Sequence, residues 1–193
     1  LGLLNTENYS YGDLFNEINI VTGGMSAVNN CYSNIDDLNQ YRLTLEIKTK
    51  VLYDNISKAI ELMREVLMTS DFTDAKRLQE IIAEGRSRTQ SQMMSAGHSV
   101  AVNRALSYGS ASAELSEVTS GVPFFRLVTD LDDRFEENKE ALIDKLQRLA
   151  KVIFRKENLM VDFVGTAEGY EKLAEPVTGF AEALYTGPVE KGN

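Results

Sequence analysis

The stretch "YRLTLEIKTKVLYDNISKAIELMREVLMTS", residues 41–70, changes its hydrophobic period halfway along. Its first part alternates apolar and polar residues, and one face consists of Leu43, Leu45, Ile47, Thr49 and Val51. This period of two predicts a strand that is buried on one face and wet on the other. In the second part, apolar residues recur three or four positions apart, at Ile56, Ala59, Ile60, Met63 and Leu67. That spacing predicts an amphipathic helix, for which Asp54 is the expected N-cap.

Toward the N-terminus, the segment "SYGDLFNEINIVT", residues 10–22, predicts a short amphipathic helix. Ser10 is its expected N-cap, and the structural role expected of Gly23 and Gly24 is to end it. The following "GGMSAVNNCYSN", residues 23–34, predicts a weak strand. A weak strand beside an alternating one is typical of an antiparallel sheet that is covered on one side.

On the other side of the opening stretch, a helix is expected from Thr73, with one face formed by Leu78, Ile81, Ile82 and Gly85. The polar "RSRTQSQ", residues 86–92, is expected to kink this helix or to lie exposed. Farther along, Gly97, Ala101 and Ala105 are spaced four apart. Small residues at this spacing predict a helix that presses closely against a neighbour, which is a structural role for Gly97.

The segment "VTDLDDRFEENKEALIDKLQRLAKVIFRK", residues 128–156, places acidic residues before basic ones, as a helix dipole favours. Its buried stripe is expected at Leu142, Leu146, Leu149 and Ile153, and its acidic run is expected to be a solvated helix start. Next, "LMVDFVG" (159–165) predicts a strand, and "TAEGYEKLAE" (166–175) and "VTGFAEALY" (177–185) predict two helices. The sequence therefore predicts one α+β domain over residues 1–193, with helices packed on one face of a mostly antiparallel sheet.

Charge and composition exclude several classes of protein. A length of 193 residues suits one compact domain, and a net charge of −9 leaves no electrostatic footprint for nucleic acid or an anionic membrane. No apolar run approaches the ~18 residues that a membrane span needs. Cys31 is the only cysteine, so no internal disulfide and no Cys/His zinc cluster can form. A reducing compartment fits, and a cytoplasmic location is expected, with an organellar matrix or secretion of a longer parent left open.

His98 is the only histidine, so it is the first residue to test as a catalyst or metal ligand. Adjacent helical residues point about 100° apart, so His98 is poorly placed to activate Ser99. Zinc peptidase helices need two histidines four apart with a glutamate base, which one histidine cannot supply. The acidic run lacks the glycine and terminal glutamate of a calcium loop. We therefore expect no catalytic residue and no metal site here, and a helical, hydrogen-bonded, structural His98.

Two further features favour a surface or packing role and leave a peptide contact open. Arg104 and Tyr108, at i and i+4, predict a helix-surface pair, or alternatively a clamp on a peptide carbonyl that makes them the candidate substrate contacts. Met93 and Met94 predict gap-filling core residues, or alternatively a flexible peptide-contacting surface. The residues alone therefore provide no self-sufficient active site.

Three stretches nevertheless carry a family resemblance: "ENYSYGDLFNEINIVTGGMS" (7–26), "DFTDAKRLQEIIAEGRSRTQSQMMSAGHSVAVNRALSYGSASAELSEVTSGV" (71–122) and "ENLMVDFVGTAEGYEKL" (157–173). The set T-G-G-M-S, G-H, R-A, a glutamate and S-G resembles the third domain of presequence-protease-type zinc metallopeptidases. These are large members of the insulinase/pitrilysin group, and the resemblance extends over nearly the whole chain.

The resemblance implies a fold and a role. In that family, two halves of two related α+β domains each close around a chamber that encloses and cleaves unfolded peptides. The zinc motif and its glutamate base belong to the first domain, and the substrate-orienting Arg and Tyr belong to the last. Arg104 and Tyr108 therefore inherit no role from the family. What is implied is a non-catalytic chamber wall whose partners are the parent's other domains and unfolded peptide, with zinc only in the parent.

The resemblance also implies that the chain begins partway into its domain, because family strands precede the helix that would contain Leu1 to Leu4. The missing strands would leave an open sheet edge that favours self-association. The alternative is a stand-alone interaction module, similar to the inactive core subunits of this fold in mitochondrial processing and respiratory complexes. An enzyme that uses Ser99, Cys31 or a carboxylate pair is a third hypothesis.

Overall fold

The computed structural model describes residues 2–37 and 39–188 of the chain. Single 3-10 turns lie at Tyr53–Asn55 and Lys156–Asn158. In chain order, the strands and α-helices are α1 (Tyr11–Val21), β1 (Thr22–Ser33), β2 (Tyr41–Val51), α2 (Ile56–Met68), α3 (Ala75–Ser95), α4 (Gly97–Leu106), α5 (Ala111–Ser120), α6 (Val122–Asp133), α7 (Phe135–Ile153) and α8 (Ala167–Ala183).

These elements divide between two compact units. The first unit comprises Leu1–Ser26, Lys48–Asp74 and Glu140–Asn193, and the second comprises Ala27–Ile47 and Ala75–Lys139. The strands β1 and β2 pair in an antiparallel two-stranded sheet, and the rest is mostly helical, so the predicted α+β class is confirmed. The single domain over residues 1–193 stays a prediction. The strands expected before Leu1 lie outside the described residues.

The apolar face of β2 is less covered than its alternation predicts. Leu43 is 52% exposed, whereas Leu45, Ile47 and Val51 are half-buried. The expectation of a fully buried face is therefore wrong for the described residues. The physical reason is that two strands alone offer too little surface to bury a whole face.

The start of α1 confirms the predicted cap, and its end differs from the prediction. The Ser10 side chain accepts a hydrogen bond from the Asp13 N–H, as an N-cap does. The helix ends at Val21, so Gly23 and Gly24 lie inside β1 and do not form the helix stop. Thr22 makes the transition, because its hydroxyl donates to the Ile18 carbonyl at 2.7 Å and accepts from the Gly24 N–H at 3.0 Å. Gly24 has a φ of 106°, a conformation that favours glycine.

The first unit is built around the contact between α1 and α2, with a buried cluster formed by Leu14, Ile18, Leu62 and Val66. Glu65, on α2, is buried beside it and accepts hydrogen bonds from the backbone N–H and the side-chain amide of Asn8. Burial raises the pKa of Glu65, but the bonds from Asn8, with those from Thr6 and Thr69, outweigh burial and lower it. The carboxylate therefore ties the segment before α1 to α2.

Asp54 does not cap α2, although the sequence predicts it. The helix begins after Asn55, and no side chain caps it. Asp54 lies in the preceding 3-10 turn and accepts a hydrogen bond of 2.7 Å from Lys172 of α8, which lowers the pKa of Asp54. In the same turn, the Tyr53 hydroxyl accepts hydrogen bonds from the hydroxyl and the backbone N–H of Thr166, and these bonds lower the pKa of Tyr53. Both contacts join the start of α2 to the start of α8.

The C-terminal part of the first unit corrects two predictions. Residues 159–165 form no strand, because a strand needs a neighbour for its N–H and C=O groups and no described segment pairs with this one. The two helices predicted on either side of Pro176 are one continuous helix, α8. An internal proline removes one helix hydrogen bond. Helix α8 tolerates it because the helix packs along α2 and buries Phe180.

The buried stripe and the acidic run predicted for residues 128–156 also differ from the structure. The segment forms two helices, α6 and α7, with a break at Arg134. Leu149 and Ile153 are exposed, Leu142 and Leu146 are half-buried, and the buried positions near the end of α7 are Ala150 and Phe154.

In the second unit, α3 runs through "RSRTQSQ" as one helix. Arg86, within that segment, donates to Asp132 and Asp133 at 2.8 Å each, which pins α3 to the end of α6. The acidic run is therefore partly an ion-pair partner and only partly a solvated helix start.

Candidate functional site

Arg104 and Tyr108 form a stacked pair at the end of α4, in the second unit. The guanidinium carbon of Arg104 lies 5.4 Å from the centroid of the Tyr108 ring, within the range of a cation–π contact. The Arg104 side chain is 50% exposed, and Tyr108 is largely exposed. The i, i+4 spacing therefore brings the two side chains together, as the sequence predicts.

A buried carboxylate lies behind this pair. Glu117, on α5, is 2% exposed, and its Oε1 atom is 3.6 Å from the Arg104 guanidinium. The same oxygen accepts a hydrogen bond of 3.3 Å from the backbone N–H of Val122, the first residue of α6. Helix N-termini favour negative charge, so this carboxylate stabilises the start of α6 while it holds Arg104. Sequence analysis did not identify Glu117 as a site residue.

Gly121 is required by the position of Glu117. It joins α5 to α6, and a Cβ atom added there would lie 2.5 Å from the Glu117 carboxyl carbon and nearer still to Oε2. Glu117 Oε2 is buried and makes no hydrogen bond to any described residue. The R-A, glutamate and S-G elements of the resemblance thus include three residues, Arg104, Glu117 and Gly121, that meet at one point. The order of these motifs is the sequence signal that could have identified Glu117.

His98 lies on a helix, as expected, in the first turn of α4, but its environment differs from the prediction. The side chain is exposed and has no hydrogen-bond partner among residues 2–37 and 39–188. Helix α4 contacts α5 on the side that carries Arg104, and His98, six residues earlier, projects in a different direction. A structural role for His98 stays a prediction.

The row of small residues on α4 does not pack against a neighbour. Gly97, Ala101 and Ala105 are all exposed, so the predicted close helix contact is wrong for the described chain. Small side chains bury little apolar area, and α4 is held instead by the charged contact of Arg104. Met94 is also exposed, so the core role predicted for it is wrong, whereas Met93 is half-buried.

A groove of about 450 Å³ lies between the hairpin and α5, within the second unit. The hairpin contributes Asn29, Cys31 and Ser33 from one face of β1, together with Leu43 of β2. Helix α5 contributes Ser112, Ala113, Leu115, Ser116, Thr119 and Ser120. The lining is rich in hydroxyl groups, and it contains no charged side chain. Sequence analysis did not predict this groove.

Nothing in the described part of the chain forms a metal site: no three His, Cys, Asp or Glu residues are grouped closely enough to hold an ion. As for membranes, none of the helices described here combines the length and the apolar character that a span requires.

Similarity to known proteins gives the family. The chain is 34% identical over 177 residues to Protein HypA of Clostridium perfringens, a match that covers 92% of this chain and 18% of that protein. It is 28% identical over 187 residues to the mitochondrial presequence protease of Yarrowia lipolytica, with 96% and 19% covered. For the mitochondrial presequence protease of Drosophila melanogaster, the identity is 26% over 176 residues, with 90% and 16% covered.

The chain thus spans less than a fifth of the length of each of these relatives. Residues 1–131 match the family model for the region associated with peptidases of family M16, subfamily C. This match agrees with the resemblance carried by the motifs from T-G-G-M-S to S-G. The chain belongs to this peptidase-associated family.

Proposed function

We propose that the chain forms a non-catalytic wall of the chamber of a zinc-dependent metallopeptidase that degrades unfolded peptides. The observation that carries this proposal is the family match over residues 1–131 in a sequence that contains a single histidine. One imidazole cannot supply the histidine pair of a zinc peptidase helix. Zinc and the general base therefore come from other domains of the parent protein, and the cytoplasmic location remains part of this proposal.

The other domains of the parent are the proposed partners of the exposed apolar side chains. In the first unit, Phe15, Ile20 and Leu52 are exposed, and Ile20 is 78% accessible. Large exposed apolar side chains favour protein contacts when they lie together. We expect the isolated chain to self-associate with rising concentration, which sedimentation velocity measures, and the assembled parent to suppress this.

Arg104 and Tyr108 are the proposed peptide contacts on this wall. Glu117 and the Tyr108 ring hold the guanidinium on two sides, and half of it stays exposed. Because Glu117 balances its charge, the remaining N–H groups suit a neutral acceptor such as a peptide carbonyl. This interpretation favours backbone recognition over recognition of a charged side chain.

The experiment compares the isolated chain with the parent protein. We expect the purified 193-residue chain to bind no stoichiometric zinc and to cleave no unstructured peptide, whereas the parent does both. Metal-dependent cleavage by the isolated chain would overturn the proposal. A parent reading frame with His-x-x-Glu-His upstream supports the peptidase, and a natural start and stop around this chain would instead favour a stand-alone interaction module.

A further inference from the structure

We propose that the groove between the β1–β2 hairpin and α5 binds an uncharged, extended segment of a peptide. This inference rests on the proposed function and deepens it by naming a subsite and the chemistry of its ligand. The groove volume of about 450 Å³ lies within the range of ~300–1,000 Å³ that is usual for ligand pockets.

The lining suits a peptide backbone better than a charged side chain. Hydroxyl groups both donate and accept hydrogen bonds, so they can pair with N–H and C=O groups whatever the peptide sequence. A charged side chain would lose its hydration in the groove and find no opposite charge among the lining residues. The ligand class that remains is an extended segment of small or apolar residues.

The hydrogen bonds already made in the groove leave both acceptors and donors. The Thr119 and Ser120 hydroxyls donate to carbonyls of their own helix at 2.9 and 2.8 Å, which leaves their oxygen lone pairs as acceptors. The side chains of Asn29, Ser33 and Ser116 make no hydrogen bond within the described residues, so their donors stay open. Leu43 adds an apolar contact from the hairpin, because half of its side chain is uncovered.

The helical wall of the groove is held in place from behind. Glu117, on the same helix, pairs with Arg104 of α4 and with the N–H of Val122 at the start of α6. A wall fixed in this way needs little ordering when a peptide binds, and a smaller ordering cost favours affinity.

The single cysteine provides the test, because Cys31 lines the groove and is half-buried. The probe is a short unstructured peptide with an uncharged centre of Ala, Ser, Gly and Val. At a peptide concentration of about ten times its Kd, we expect the alkylation rate of Cys31 by iodoacetamide to fall about tenfold by mass action. A peptide with a central run of Glu or Lys is expected to give no protection.

Variants separate groove binding from other causes of protection. Thr119→Val keeps the volume and removes an acceptor, so we expect the peptide Kd to rise about fivefold, the effect of one hydrogen bond. Ser116→Phe is expected to fill the groove and abolish protection, with circular dichroism to verify folding. As the control, Cys31→Ser combined with Ser57→Cys moves the thiol to an exposed position on α2, where the peptide is expected to leave alkylation unchanged.

The outcomes distinguish this inference from the proposed function. Unchanged alkylation of Cys31 at every soluble peptide concentration, equal protection of the thiol at position 57, or protection by the charged peptides would each overturn the groove assignment. None of these results affects the zinc and cleavage measurements on the chain and its parent. Metal-dependent cleavage by the isolated chain, in turn, would overturn the chamber-wall proposal and leave protection of Cys31 standing.

Discussion

The buried carboxylate of Glu117 lies 3.6 Å from the guanidinium of Arg104, which is half exposed beside the Tyr108 ring. This ion pair joins α4 to α5, and the same carboxylate accepts from the first N–H of α6. Removing one partner of a buried charge pair leaves an uncompensated charge, which destabilises more than the loss of an exposed pair. The arrangement therefore orders three helices around one side chain, and substitutions near it have directional consequences.

Gly121→Ala is expected to destabilise the protein by about 1–3 kcal/mol, the range for overpacking a filled site. The new methyl group would collide with the Glu117 carboxylate and would also lie 2.7 Å from the Glu117 backbone oxygen, which cannot rotate away. Urea unfolding monitored by circular dichroism measures the change. The matched control is Gly85→Ala inside α3, where nothing lies within 4 Å of the added carbon, and this variant is expected to gain about 0.5–1 kcal/mol.

Gly169→Ala is expected to disrupt the junction between α8 and Tyr53. The added carbon would lie 2.6 Å from a carbon of the Tyr53 ring, so the ring must move and its hydroxyl loses the bonds from Thr166. A loss of about 1–3 kcal/mol in the free energy of unfolding is expected. Gly179→Ala in the same helix meets no atom within 4 Å and is expected to be neutral or stabilising. Equal effects of the two substitutions would contradict the close contact with Tyr53.

Glu65 is expected to make stability depend on pH in the acidic range. Its pKa is lowered in the folded protein from the ordinary value of 4.5, because the bonds from Asn8 outweigh burial. A group with a lowered folded pKa stabilises fully above its unfolded pKa, and that stability is lost as the pH falls through the folded pKa. Urea unfolding at neutral pH and across the acidic range measures this loss.

Glu65→Gln tests the cause. It keeps the shape and removes the charge, so we expect a loss of about 1–2 kcal/mol at neutral pH and a weaker acidic dependence. Glu61→Gln, at an exposed carboxylate paired with Lys58, is the control and is expected to change stability by less than about 1 kcal/mol. An undiminished acid sensitivity in Glu65→Gln would show that another carboxylate is responsible.

Ser10→Ala and Asp54→Ala test which capping prediction holds. Ser10 accepts from the Asp13 N–H at 3.2 Å, so its removal is expected to cost about 1 kcal/mol of unfolding free energy. Asp54 accepts only from an exposed lysine and makes no cap, so its removal is expected to leave the unfolding free energy near that of the unmodified protein. A larger loss in Asp54→Ala than in Ser10→Ala would reverse this assignment.

The sequence by itself determined the parts whose interactions are local. The start of α1 at Ser10, the helical period of α2 and the pairing of Arg104 with Tyr108 each depend on residues three or four apart, and the structure confirms them. The family followed from short motifs in a fixed order, which need no folded structure to be read.

Only the tertiary structure decided the rest, because each remaining feature depends on residues far apart in the chain. Residues 159–165 have the pattern of a strand but no described partner for their backbone, and Asp54 meets Lys172 instead of capping α2. Glu117 resembles any helix-surface glutamate until α4 and the start of α6 enclose it. A carboxylate is stabilised away from water only where a cation and N–H donors converge, and that convergence is a property of the packed helices.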